Sequence, residues 1–361
     1  MIIKKNLINE FLVVLMALIL ILSQTIFHFT QSLLELTLIF MLTFLLSKRR
    51  LQIWEISLII FVIVTQLFSL LIYDNSLNSF MLNTKVAGLT FLSLMYFRHN
   101  ATTSVSMKLF FIICLLLVLI QYFITAKFPI NIPQSMIYNV SIYNSHHPLG
   151  LFLDFHTSAY FLAIYLIGIT LTRKLFFIDL IILWLMGVKT SFLALVGQKF
   201  FTIAGNRFDF LKIFSVQVTC VIVGILLLLT VFLPLFLSFM EMIGFNAGNS
   251  TKIMIRLIGH PDVYLDAFSF LPMDLKLYSN THIYDVGVED FRYFEMTLVS
   301  IMVILGTPIG LILLYALLKF TPTFRVFILL SLFHYAAILN PLIIYLVFMF
   351  ENKARQIKEK S

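Results

Sequence analysis

One polar segment of this otherwise apolar chain, residues 241–295, holds side chains suited to binding and transforming an ionic substrate. Eight of the seventeen carboxylates of the chain lie in it, together with Arg256, His282 and Arg292. A neutral imidazole takes up a proton near neutral pH, and a guanidinium fork holds two phosphate oxygens at once. Asp285 is three residues from His282 and can orient its ring. The segment predicts a general base, His282 with Asp285, beside an anion held by Arg256.

Two lysines outside this segment are further candidates for binding a charged substrate. Lys189 stands alone in a short turn between two apolar runs, and Lys85 lies inside an apolar run. A charge within a membrane is costly, so it is expected to be paired or functional. We expect Lys85 to pair with Glu35 of another run in a structural ion pair, and a position bordering the active cavity is open to it. For Arg256 and Lys189 the alternative is a solvated or snorkelling side chain.

Two other groups of polar residues lead to weaker predictions. Arg292 is close to Asp290, which favours a local ion pair over a direct role in substrate binding. His146 and His147 precede Asp154 in a second polar segment, residues 127–156. Consecutive histidines cannot both point comfortably at one metal and no cysteine supports them, so we expect no metal site. His147 remains a candidate contact to substrate, as does Arg292.

Composition places these side chains in an integral membrane protein. Apolar residues make up 61% of the 361 positions and charged residues 12%, whereas a soluble domain has about 25% charged residues. Long uncharged runs exclude a β-barrel. We predict an all-α, polytopic bundle of about eleven or twelve membrane-spanning helices, formed as a single domain over residues 1–361. The uncharged runs are 11–34, 56–73, 109–126, 155–172, 213–240, 296–318 and 326–350; weaker candidates are 31–46, 80–97, 175–188 and 191–204.

The net charge of +8 is explained by membrane topology better than by nucleic acid binding. With the N-terminus inside, 18 of the 25 lysines and arginines fall on the cytoplasmic side. The same topology places 127–156 and the large, mostly acidic segment 241–295 outside. Glu55 and Asp179 fall near the inner ends of spans and are expected to be interfacial. The basic tail requires an even number of spans, so the run 326–350, broken at Asn340-Pro341, forms two short pieces unless an earlier span is miscounted.

Several motifs together resemble the superfamily of O-antigen polymerases and O-antigen ligases. They are Gly150-Leu-Phe-Leu-Asp-Phe-His-Thr-Ser-Ala159 at the start of one span, then Gly187-Val-Lys189-Thr-Ser191, and then a large outside loop with Arg256 near its start. His282, or Asp285 with Gly287, fits the family's position near the end of that loop. The resemblance covers residues 145–315. Lys189 stands where arginine is common, and His282 precedes isoleucine instead of the asparagine usual in ligases.

The resemblance implies an enzyme of the bacterial cytoplasmic membrane that extends surface polysaccharide. Its donor would be an oligosaccharide on undecaprenyl diphosphate, and its acceptor the sugar hydroxyl of a second lipid-linked unit. Arg256 and Lys189 would bind the diphosphate, His282 with Asp285 would act as the base, and a cavity near Lys85 would admit the polyprenyl tail. No cofactor is implied. A chain-length regulator and a flippase of the same pathway would be partners.

Three alternative functions remain open from sequence. An O-antigen ligase would use the same chemistry on a different acceptor. A lipid-linked oligosaccharide flippase or other carrier would place ionisable residues and broken helices near the midplane, often in paired halves, and no halves are detectable here. A membrane O-acyltransferase would place its histidine and arginine near cytoplasmic helix ends, and the short cytoplasmic loops contain only His99.

Overall fold

The computed structural model describes residues 2–23, 27–49, 51–72, 77–125, 148–170, 176–186, 188, 191–192, 194–199, 269–273, 297–332 and 337–360. Regular structure in these ranges is helical, without strands. The helices are α1 (Ile2–Ser23), α2 (His28–Ser47), α3 (Ile53–Ile72), α4 (Leu77–Asn100), α5 (Val105–Thr125), α6 (Phe155–Thr170), α7 (Phe176–Met186), α8 (Thr297–Leu305), α9 (Thr307–Phe320), α10 (Arg325–Ser331) and α11 (Pro341–Lys360). Two 3-10 helices, Pro322–Phe324 and Ala337–Leu339, flank α10.

Five of these helices are long and apolar enough to cross a membrane, as the all-α membrane class predicts. The crossing segments are Asn6–Ser23, Phe29–Ser47, Ile53–Ile72, Phe80–Asn100 and Val105–Phe123. Large apolar side chains on α2 and α3, such as Phe40, Phe44 and Phe68, are more than half exposed. Exposed apolar surface of this extent needs an apolar surrounding. The described part of the chain is therefore compatible with a multi-pass membrane protein.

The predicted run 11–34 is divided between two helices instead of forming one. α1 ends at Ser23 and α2 begins at His28. The Ser23 hydroxyl donates to the carbonyl of Leu20 at 2.6 Å, at the end of α1. Serine and neighbouring polar residues compete with the backbone for such bonds and favour helix ends. The weaker candidate 31–46 is thus a full helix, α2, and the predicted span 80–97 is confirmed within α4.

The predicted run 296–318 is also broken, at Gly306 between α8 and α9. Gly306 has φ +76°, in the region that favours glycine. A Cβ added to Gly310 would lie 2.9 Å from Sδ of Met302. These two residues are eight apart, about 12 Å along a straight helix, so the chain must bend between them. Gly306 and Gly310 thus provide a kink and close packing between α8 and α9.

The C-terminal run 326–350 forms separate helical pieces. This is one of the two alternatives from sequence; the other was a miscounted earlier span. α9 and the following Pro322–Ser331 segment meet at 102°, the geometry of a broken span or a re-entrant loop. α11 then starts at Pro341, and the Asn340 side chain caps it by accepting a hydrogen bond from the Leu342 amide at 2.9 Å. The break predicted at Asn340-Pro341 is confirmed. The total number of spans depends also on residues 200–268, which lie outside the described ranges.

The core is built around the pair α4 and α11, which pack side by side. Phe97 meets Tyr345 edge to face at a centroid distance of 4.9 Å, and both side chains are fully buried. The Tyr345 hydroxyl donates to the carbonyl of Thr102 at 2.7 Å, and the Asn352 amide donates to Ala101 at 3.0 Å. Aromatic packing and satisfied polar groups thus fix the two helices against each other.

The bundle has two chemically different ends. At the basic end lie Arg49, Arg98 and Arg355, brought together from the end of α2, the end of α4 and the second half of α11. At the cavity end lie Glu35 and Lys85, near the starts of α2 and α4. Lys85 and Arg98 are thirteen residues apart on α4, about 20 Å along its axis. The gathering of these arginines at one end is what a shared cytoplasmic side predicts.

Candidate functional site

Of the seven site residues predicted from sequence, Lys85 lies in the described part of the chain. The others, His282, Asp285, Arg256, Arg292, Lys189 and His147, lie outside the described residues. The candidate site is therefore built from Lys85 and what surrounds it.

Lys85 and Glu35 form the ion pair that their positions in apolar runs predicted. The Nζ of Lys85 is 2.5 Å from Oε2 of Glu35, and the other carboxylate oxygen accepts a hydrogen bond from the Gln31 amide at 2.8 Å. The Glu35 side chain is 8% exposed and that of Lys85 24%. A buried carboxylate needs such partners, because desolvation would otherwise make its charge too costly. One end of this pair remains accessible through lysine.

Glu35 also borders an apolar cavity of about 300 Å³ at the cavity end of the bundle. α1, α2, α4 and α8 form its walls, and Asn340-Pro341 closes one side at the start of α11. The apolar lining residues are Met16, Ile19, Leu20, Leu38, Leu82, Val86, Leu89, Ile304, Leu339 and Pro341; the polar ones are Ser23, Gln31, Glu35, Asn83, Ser300 and Asn340. An apolar cavity with a few polar groups at one edge suits a ligand with an apolar tail and a polar head.

A short stretch of the predicted outside loop, residues 269–273, docks at this same end of the bundle. The Asn83 amide donates to the carbonyl of Met273 at 2.8 Å, and the Ser69 hydroxyl donates to the carbonyl of Pro272. Pro272 is buried while Phe270 is 65% exposed. Residues 269–273 of the large polar segment therefore pack on the helices.

The docked segment also supplies hydrogen-bond partners for backbone groups at the helix break before Gly306. The Met273 amide donates to the carbonyl of Val303 at 2.8 Å, and the Thr307 amide donates to Ser269 at 2.9 Å. These are backbone groups that a helix break leaves without intrahelical partners. Non-helical backbone at membrane depth is tolerated where protein satisfies it in this way. The Gln66 amide donates to the next carbonyl, that of Ile304, at 3.1 Å.

The turn before α6, which carries part of the family-like motif, is fixed by conventional capping. Asp154 accepts hydrogen bonds from the His156 and Thr157 amides at 3.3 and 2.9 Å, as an N-cap residue does. Gly150 has φ +67°, and its amide donates to the side chain of Gln121 at 2.8 Å. Asp154 therefore has a structural role. Across the described ranges, histidine, cysteine and carboxylate side chains form no group able to hold a metal.

Glu55 and Asp179, expected near the inner ends of spans, lie in the first turns of α3 and α7 and are buried within the protein. Glu55 is fully buried; it pairs with Arg49 and lies 3.4 Å from Nη2 of Arg98. Asp179 is 3% exposed. Glu55 can be buried because Arg98, 43 residues later, supplies a second cation that the local sequence does not reveal.

Sequence reasoning missed Ser69 and Asn83, which anchor the loop segment, and Gln66, which bonds to Ile304 at the helix break. Each is at most 2% exposed, and each donates to a backbone carbonyl more than 180 residues away in the chain. The available signal was polar side chains inside apolar runs, since buried polar groups require partners.

Comparisons with known proteins leave the site to be interpreted from its own chemistry. No family model, no curated protein and no solved structure matches this chain.

Proposed function

We propose that the protein polymerises lipid-diphosphate-linked oligosaccharide repeat units into a surface polysaccharide at the outer face of a bacterial cytoplasmic membrane. The observation that carries this proposal is the apolar cavity beside the Lys85–Glu35 pair, at the end of the bundle where residues 269–273 dock. Such a lipid-linked donor has an apolar tail, an anionic diphosphate and a polar glycan. The cavity, the lysine and the loop present matching chemistry in that order.

The proposed reaction is transfer of a glycan from one lipid diphosphate to another lipid-linked unit. A hydroxyl of the incoming unit attacks the anomeric carbon of the donor glycan, its proton passes to a base, and the bond to lipid diphosphate breaks. Diphosphate is already a good leaving group. The enzyme therefore has mainly to position the reactants, neutralise the phosphate charge and remove the proton.

The residue roles proposed from sequence complete this scheme. Arg256 and Lys189 bind the diphosphate, His282 takes the hydroxyl proton and Asp285 orients its ring. His147 and Arg292 are further contacts to substrate. Lys85 adds a cation next to Glu35, which lines the cavity and lies 2.5 Å from the Nζ of Lys85.

The proposal includes the orientation of the helix bundle in the membrane. The basic end, with Arg49, Arg98 and Arg355, faces the cytoplasm under the positive-inside rule. The cavity end then faces outward, and lipid-linked substrates enter from the outer leaflet. A flippase and a chain-length regulator act with the enzyme.

Deleting the gene tests the proposed function directly. A glycan banding gel should collapse from a ladder to a single repeat unit that is still attached to its surface anchor, because export and attachment remain intact. An unchanged ladder would refute a polymerase. Loss of all surface glycan with accumulation of lipid-linked glycan would instead indicate a ligase or a flippase, and the leaflet that holds the accumulated lipid separates these two.

Single variants test the residue roles. Arg256→Ala and His282→Ala should each abolish chain extension while the amount of protein in the membrane stays normal. Lys252→Ala and His260→Ala, in the same segment, are the matched controls and should leave the ladder unchanged. Normal polymer from Arg256→Ala or His282→Ala would remove that residue from the mechanism.

A transporter of lipid-linked oligosaccharide is the second candidate, and two observations favour it. The break at Gly306 and the Lys85–Glu35 pair are features that carriers place near the midplane. A carrier would move substrate between leaflets without changing glycan length, so the leaflet assay and the banding gel discriminate between the two functions.

A further inference from the structure

Asn83 lies at the junction of two features that are otherwise separate, the cavity and the docked segment 269–273. It lines the cavity, and its amide donates to the carbonyl of Met273 at 2.8 Å. Ser69 anchors the neighbouring residue, Pro272, from α3 and is not part of the cavity lining. One anchor of the segment is therefore exposed to whatever occupies the cavity, and the other is not.

We propose that Asn83 is a positioning residue that transmits occupancy of the cavity to segment 269–273. This inference rests on the proposed function, because it takes the occupant to be the isoprenoid tail of the substrate. Asn83 is 2% exposed and its bond to Met273 is only partly buried, so an apolar chain in the cavity excludes the remaining water from that bond. A hydrogen bond in a drier environment is stronger, so the bond to Met273 tightens when the cavity is filled.

The consequence reaches the helix break, because the segment is bonded there too. The Met273 amide donates to Val303 and the Thr307 amide to Ser269. A Cβ on Gly306 would lie 2.6 Å from the carbonyl oxygen of Phe270, so the backbones are in close contact. Binding of the tail therefore fixes the segment that belongs to the large loop, before the chemistry that the loop is proposed to perform. By linkage, docking of the segment favours tail binding by the same factor.

Hydrogen exchange at the Met273 and Thr307 amides measures this link without requiring catalysis. The full chain is placed in phosphatidylcholine nanodiscs with and without undecaprenyl phosphate as the probe. In the wild type the probe should slow exchange at both amides about fivefold, the factor expected for strengthening by one buried hydrogen bond. In Asn83→Leu basal exchange should rise about fivefold and the response to the probe should disappear.

Two further variants isolate the role of Asn83. Ser69→Ala removes the other anchor, so basal exchange should rise while the probe still slows it. Asn9→Leu is the matched control: its amide is equally buried and donates to the carbonyl of Asn100 at 2.7 Å, but at the basic end. It should leave exchange at Met273 and Thr307, and the probe response, as in the wild type.

The outcomes distinguish a failure of the role of Asn83 from a failure of the proposed function. A probe response that survives in Asn83→Leu, or one that Asn9→Leu removes equally, overturns the role of Asn83 while leaving the polymerase intact. No binding of the probe to the wild type by native mass spectrometry overturns the proposed substrate class and the inference with it. In the polymerisation assay, Asn83→Leu should lower kcat about tenfold and raise KM by no more than about fivefold, since a misplaced loop weakens the reaction more than it weakens tail binding.

Discussion

Two buried carboxylates at opposite ends of the bundle illustrate how differently a charge can be used in this fold. Glu55 at the basic end is fully buried and faces two arginines, while a third hydrogen bond comes from the Gln52 amide at 2.9 Å. Glu35 at the cavity end has a single cation, Lys85, and one amide donor, Gln31. The first carboxylate is surrounded by partners, and the second stands at the wall of a cavity.

The cations of the two sites differ in the same sense. The Arg98 guanidinium lies over the rings of Trp54 and Phe320, at 5.1 and 4.4 Å from their centroids. Arg49 also reaches the carbonyl of Met95. Lys85 is a point charge on a flexible stem; its side chain is 24% exposed, compared with 6% for Arg98 and 27% for Arg49. A ligand can share Lys85 with Glu35, whereas the Glu55 site holds its arginines in contacts on several sides. These contacts favour a structural role for the basic end, and under the proposed function substrate binds at the cavity end.

Removing Glu55 should have the largest effect on stability. Glu55→Ala leaves Arg98 as a buried cation without its carboxylate, beside the partly exposed Arg49, which costs about 3–5 kcal/mol. The free energy of unfolding in detergent, measured with a denaturant, and the amount of protein in the membrane should both fall. Glu359→Gln, on the exposed end of α11, is the control and should be neutral. Wild-type stability of Glu55→Ala would contradict the structural role of the basic end.

Reversing the pair at the cavity end should separate binding from folding. Lys85→Met should reduce polymerisation about a hundredfold, as removal of one electrostatic contact to a developing anion does. The double variant Glu35→Lys/Lys85→Glu restores opposite charges, so its unfolding free energy should return close to wild type. Its activity should stay low, because the cation has moved from α4 to α2.

Full activity in the double variant would mean that the Lys85–Glu35 pair, like the ion pairs of Glu55, only stabilises the fold. The two ends of the bundle would then not differ in their roles. The measurement is the initial rate of glycan extension per folded protein, so that a loss of protein is not counted as a loss of catalysis.

Gly306→Ala should destabilise the cavity end specifically. The new Cβ would meet the backbone of Phe270 at 2.6 Å, and alanine disfavours φ +76°. We expect a loss of about 2–3 kcal/mol and faster hydrogen exchange at Met273. Gly88→Ala is the matched control, since its Cβ would have nothing within 4 Å and α4 continues through it. That change should be neutral or stabilise by up to about 1 kcal/mol. Equal effects of the two substitutions on the free energy of unfolding would show that the docked segment contributes little to stability.

The features of the two ends differ in how far the sequence could predict them. The Lys85–Glu35 pair followed from two charges in neighbouring apolar runs, because each needs a partner in an apolar surrounding. The break at Asn340-Pro341 followed from the missing proline amide. The all-helical membrane class followed from composition alone. Each of these features depends on residue types at a known place in the sequence, so the sequence pattern predicts it.

The remaining features depend on contacts between distant residues. Glu55 reads as interfacial because it is near a helix start, and only the approach of Arg98 makes its burial tolerable. The anchoring of 269–273 requires Asn83 and Ser69 to meet backbone carbonyls some 200 residues away, and any polar side chain can make such a bond. The divided run 11–34 has polar residues at its break, Ser23, Gln24 and Thr25, whereas the run 296–318 is almost continuously apolar. Tertiary contacts decide where such a run breaks, as at Gly306.

The smallest effect we predict comes from the aromatic contacts of Arg98. Phe320→Leu removes one of its two rings, which should cost about 0.5–2 kcal/mol of unfolding free energy. Tyr315→Leu is the control: its ring lies 5.5 Å from Nζ of Lys319 and is 43% exposed, so the loss should stay under about 1 kcal/mol. Because Arg98 keeps Glu55 and Trp54, polymerisation per folded protein should be unchanged in both variants. Reduced activity in Phe320→Leu at normal stability would mean that the basic end takes part in function, and that a fully partnered carboxylate does not by itself mark a purely structural site.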